Sequence, residues 1–180
     1  MRSVTGIYCE ADQLVLFASL ARCPTVAAVF VLGMSTGLRI GDMLALTVGQ
    51  LGPQFTAYES KVDKFRDIEL NPVSWIYMQS YLDHIGRQGR EYHEPLFKTT
   101  RQTVYRHMRA AAEELGISGP IGTHSMRKTY AWTIWRLSRC LNAVQEALGH
   151  EYPSSTIAYL VQGFSWLTEA VYGEEVKSCA

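Results

Sequence analysis

At 180 residues, 47% of them hydrophobic, the chain is long enough to bury one sizeable core without metals or covalent braces, and too apolar to be a disordered polymer. Seventeen Lys and Arg are balanced by seventeen Asp and Glu, so the total lacks the cationic excess that drives non-specific phosphate binding. The longest apolar run, residues 25–34, is too short to span a bilayer, and the first residues lack a signal-peptide core; a soluble cytoplasmic protein is expected.

Apolar positions Leu14, Val15, Phe17, Leu20 and Ala21 predict a helix from Glu10 to Arg22, punctuated by Pro24. Thr25 is placed to cap a second helix through Val29, Phe30, Leu32 and Gly33, apolar enough to be buried nearly all round. Thr36-Gly37 breaks it, and residues 38–46 read as a short helix with Arg39 at its start. After the Gly52-Pro53 turn, two alternating stretches from Phe55 and from Phe65, joined by Lys61-Val-Asp-Lys64, read as a hairpin. Asn71-Pro72 opens a helix carrying Trp75, Ile76, Met78, Tyr81 and Leu82. Thr100 or Thr103 caps the next, through Val104, Met108, Ala111, Ala112 and Leu115, closed by Gly116.

Residues 118–122 form a loop that delivers His124 to a helix with Tyr130, Ala131, Trp132, Ile134, Trp135 and Leu137. Asn142 caps a further helix ending at Gly149, and a short helix from Pro153 carries Tyr159. An apolar tail helix follows at 164–172. The expected class is mostly α with a small antiparallel hairpin (α+β), in one domain. The four cysteines, Cys9, Cys23, Cys140 and Cys179, have no metal-ligand or redox spacing and are expected to be free thiols.

Chemistry concentrates between Thr123 and Tyr159. His124 and Arg127 are three residues apart and share a helix face, so an imidazole and a guanidinium fork point at one object. An anionic oxygen cluster such as a phosphate suits that pair. His150 follows a helix end at Gly149, and Tyr159 stands nine residues on. Arg39, embedded between Leu38 and Ile40, is expected to turn into a polar cleft, with Asp42 holding its guanidinium.

Together these stretches carry a resemblance. His124-Ser-Met-Arg127-Lys-Thr-Tyr-Ala, Leu148-Gly-His150 and Ser155-Thr-Ile-Ala-Tyr159 resemble the catalytic domain of tyrosine recombinases, the phage-integrase family. Ser35-Thr-Gly-Leu-Arg39-Ile-Gly-Asp42 resembles the family's first arginine box, and Ser60-Lys61-Val-Asp-Lys64-Phe-Arg66 its lysine-bearing hairpin. The resemblance implies the tyrosine-recombinase catalytic fold and a metal-free, cofactor-free chemistry on double-stranded DNA. In it Arg39, Arg127 and His150 offset charge on a phosphodiester, Tyr159 is the nucleophile, His124 takes its proton, and Lys61 protonates the leaving 5′ oxygen. The product would be a 3′-phosphotyrosine, rejoined by the reverse route.

The resemblance also implies DNA contacts from Lys64, Arg66, Arg101, Arg106 and Arg109, and a C-terminal tail that packs on a neighbouring protomer in a tetramer. Residues 61–110 hold nine of the 17 basic residues against six acidic ones, so a neutral total conceals a basic stretch. Because full-length relatives carry an N-terminal DNA-clamping domain that this chain is expected to lack, weak DNA binding is expected. Two other readings share the residues: a type IB topoisomerase-like or telomere-resolving strand transferase, and a non-catalytic DNA-binding regulator on the same fold.

Overall fold

The computed structural model describes residues 4–161. Among them are α1 (Glu10–Leu20), α2 (Pro24–Thr36), α3 (Ile40–Leu44), β1 (Gln54–Glu59), β2 (Lys64–Glu69), α4 (Pro72–Gly86), α5 (Arg101–Glu114), α6 (Thr123–Ser138), α7 (Leu141–Leu148) and α8 (Pro153–Val161). The mostly helical class with one antiparallel hairpin is as expected, and no described helix is long and apolar enough to cross a membrane.

Helix α2 is the centre. Val26, Ala27, Ala28, Val29, Phe30, Leu32 and Gly33 are all buried, so the helix has no polar face to give to water and must be wrapped. It meets α1, α3, α4, α5 and α6. At Gly33 the two helices leave no room for a side chain: a Cβ there would stand 2.7 Å from Met126 Sδ of α6. The main core joins these elements to the hairpin, and a second, smaller cluster holds Ala131, Leu141, Val144, Leu148 and Leu160 of α6, α7 and α8.

Caps follow local chemistry where a side chain can reach. The Asn71 side chain accepts from the Ser74 N–H, and Thr100, rather than Thr103, accepts from the Thr103 N–H. Two expected caps are corrected. Pro24 takes the first position of α2 ahead of Thr25, its fixed φ and missing N–H suiting that place. Asn142 lies inside the first turn of α7, behind Cys140.

The apolar stripe of α1 is also corrected. Leu14 and Val15 are exposed; Leu20 goes inward as expected, joined one turn earlier by Leu16. Ile76, Leu115 and Leu137 are likewise exposed. Cys9 and Cys23 are free thiols, whereas Cys140 is disulfide-bonded; pairing depends on tertiary proximity, which spacing does not report. The tail expected at 164–172 lies outside the described residues.

Candidate active site

The site is built where three chain reversals meet. Gly37 ends α2 in the left-handed region (φ 62°), and a Cβ there would run into the Tyr130 ring, so only glycine fits on both counts. That reversal brings Arg39 into place as the residue before α3. Gly149 ends α7 the same way (φ 61°), as the helix-stop reading of Gly149-His150 requires, and hands the chain to His150. At the start of α6, the Ser125 hydroxyl accepts from the Gly122 N–H at 3.0 Å, fixing the turn from which His124 and Arg127 project.

Arg127 is buried, 3% exposed, and its fork is set by helix ends: Nη1 donates to the Gly37 carbonyl at 2.5 Å and Nη2 to the Leu148 carbonyl at 2.6 Å. Carbonyls in the last turn of a helix lack intrahelical partners and carry the negative end of the helix dipole, so a cation bridging two such ends satisfies both. Arg66 repeats the arrangement one residue earlier on each helix, donating to Thr36 O at 3.0 Å and Ala147 O at 2.7 Å. Both of its Nη groups are therefore engaged internally, and Arg66, expected to reach DNA, is turned to the ends of α2 and α7.

A carboxylate not singled out by the sequence reading joins these groups. Glu59, 1% exposed, receives Arg39 Nη1 at 2.5 Å and lies 3.7 Å from Arg127 Nη1 through Oε2, while Oε1 lies 2.7 Å from Arg66 Nε. The signal was present: β1 alternates exposed and buried, so Glu59 follows Phe55 and Ala57 inward. Asp42, expected to hold Arg39, is 3.9 Å from it and chiefly accepts from the Ser60 N–H (3.1 Å) and hydroxyl (2.7 Å). Its main work is to pin the hairpin turn that presents Lys61.

The tyrosine stands at this pocket. Its ring meets His150 edge-on with centroids 5.6 Å apart, and Lys128 Nζ is 5.7 Å from the ring centre while donating to Val4 O. Lys128, buried and also not singled out, has no sequence signal beyond following Arg127. The Tyr159 hydroxyl is closed off from solvent and has no well-formed hydrogen bond among the described residues. Burial raises its pKa, against the lowering pull of the Arg127 and Arg39 guanidiniums.

Both histidines are held neutral. Burial first, then Arg127, Arg39 and Lys61, push His150 down to about 4, and its Nδ1 shares a 3.0 Å hydrogen bond with the Thr156 hydroxyl. Burial and the charges of Arg101, Arg127 and Arg39 lower His124. Arg39, His124, Arg127, His150 and Tyr159 are thus brought into one electrostatic neighbourhood, with Lys61, exposed at the hairpin turn, acting on His150 from its edge.

A cleft of about 920 Å³ opens beside them, lined among others by Arg101, Arg109, His124, Lys128 and Tyr159. Arg109 is paired with Glu113 at 2.7 Å. Arg106 and Lys64 are exposed and do not line this cleft.

The sequence of the phage integrase family matches residues 10–164. The chain belongs to that family. A probable integrase/recombinase of Bacillus subtilis strain 168, YoeC, is 31% identical over 142 residues, covering 73% of this chain and 74% of YoeC. Among solved structures, XerA recombinase superposes with a TM-score of 0.76 at 22% identity, covering 96% of this chain and 66% of XerA. XerH, in a post-cleavage complex with a palindromic difH substrate, superposes with a TM-score of 0.73 at 19% identity, covering 96% of this chain and 54% of XerH. The phage-integrase domain described here spans less than half the length of several relatives named tyrosine recombinase XerD. These likenesses place the fold among recombinase catalytic domains.

Proposed function

We propose that this phage-integrase domain breaks and rejoins double-stranded DNA at a specific site through a 3′-phosphotyrosine. The Tyr159 oxygen attacks the phosphorus, its proton passing to neutral His124. The bond to the 5′ oxygen breaks as that oxygen takes a proton from Lys61. One phosphoester replaces another, so rejoining needs no external energy source. Arg39, Arg127 and His150 offset the charge that grows on the non-bridging oxygens, the term that such preorganised donors supply best.

The observation that carries the reading is the placement of Tyr159 against His150, within the field of two guanidiniums that share one carboxylate. DNA as the partner is supported by XerH, which is bound to its difH substrate. Arg101 and Arg109, on the cleft beside Tyr159, together with Arg106 and Lys64 on the exposed surface, are the proposed phosphate contacts, which position the duplex without reading its sequence. Assembly on DNA as a homo-tetramer through the C-terminal tail belongs to the same proposal.

The test is a nicked duplex carrying the target site, from which the cleaved end cannot be rejoined. Wild-type protein should accumulate a covalent protein–DNA band, and Tyr159→Phe should lose the band while retaining duplex binding. A band that survives Tyr159→Phe removes the assignment.

A further inference from the structure

We propose that Glu59 is a positioning residue for strand cleavage, holding Arg39 and Arg127 in register with each other so that both reach one phosphate; this rests on the strand-cleavage reading above. Among the described residues its carboxylate is the one anion within 4 Å of the arginine preceding α3, the arginine inside α6 and Arg66 of β2 alike. Those three guanidiniums come from segments far apart in sequence and would repel one another at this spacing without an anion among them.

The surroundings allow Glu59 little freedom. It is 1% exposed, and Gly149 leaves room for it: a Cβ on Gly149 would lie 3.3 Å from Glu59 Oε1. Its neighbour Ser60 is tied to Asp42 through both N–H and hydroxyl, so the end of β1 cannot slide. Arg127 and Arg66 are further held by the carbonyls at the ends of α2 and α7, whereas the sub-4 Å partners of Arg39 are Glu59 and Asp42 alone among the described residues. Arg39 therefore depends most on Glu59. A buried carboxylate lying behind the guanidiniums leaves their outer donors to the substrate.

Glu59→Gln tests this. The amide has nearly the same volume, but one of its two ends is a donor and the negative charge that Arg39, Arg66 and Arg127 share is gone. Two nicked substrates are compared in single-turnover cleavage: one with an ordinary scissile phosphodiester, one with a methylphosphonate at that position. The methylphosphonate has no anionic non-bridging oxygen and makes little demand on guanidinium alignment.

Glu59→Gln is expected to slow cleavage of the phosphodiester by at least about tenfold and of the methylphosphonate by less than about threefold, with duplex affinity unchanged. A general loss of folded structure would slow both alike. Equal penalties on the two substrates, or no penalty on either, overturn the inference while leaving the Tyr159 chemistry intact. Absence of any covalent band with wild-type protein overturns the strand-cleavage reading itself, and this inference with it.

Discussion

His150 shows how much one residue's surroundings decide. Free imidazole titrates near pH 6.5, but a pocket shared with Arg127, Arg39 and Lys61 holds this ring neutral down to about pH 4. Between those values the unfolded chain binds a proton that the folded chain refuses. The contribution of His150 is therefore fully present above pH 6.5 and lost as pH falls toward 4. The thermal midpoint is expected to drop on acidification from pH 7 to 4.5, and His150→Gln to show a shallower drop; a scan of both proteins across that range checks it. Equal slopes would mean that the ring is not held neutral. A neutral imidazole still donates a hydrogen bond, so His150 can serve the phosphate without adding a charge to a pocket already crowded with guanidiniums.

The elements matter to the site through their ends and their closest approaches. The C-termini of α2 and α7 supply four carbonyls to Arg66 and Arg127, and the contact of α2 with α6 at Gly33 and Met126 sets the depth of the neighbouring Arg127. Gly33→Ala puts a methyl 2.7 Å from Met126 Sδ and 3.1 Å from its Cβ, and the Cβ cannot swing aside as a chain end would. Chemical denaturation is expected to show a loss of about 1–3 kcal/mol, the usual cost of overpacking, with slower cleavage because Arg127 moves with its helix. Unchanged stability would mean that the α2–α6 interface is loose enough to take the methyl.

At the scale of the molecule, the phage-integrase domain carries its arginines largely on the main core and its nucleophile on the smaller cluster of α6, α7 and α8. Leu148 is fully buried in that second cluster and its carbonyl accepts from Arg127, so it couples packing to the site. Leu148→Ala should cost about 2–5 kcal/mol and speed hydrogen exchange in residues 153–161 relative to α2, while leaving duplex binding in place. Exchange that rises equally across both clusters would show that they do not open separately.

Much of this was legible without coordinates. Helices and hairpin followed from apolar spacing, and Arg39, His124, Arg127, His150 and Tyr159 stood out because few patterns place those groups in that order. Element type is a local property, written in periods of about four or two residues and in the conformational limits of Gly and Pro. What tertiary structure alone decided was which charges meet one another inside. Arg66 looked like a surface cation and is spent on three internal contacts; Glu59, whose inward turn the strand's alternation does carry, is the anion on which Arg66 of its own hairpin and two guanidiniums from distant segments converge. A charge can be buried only where partners from elsewhere in the chain meet it, and their arrival is a fact of packing that no stretch of sequence contains.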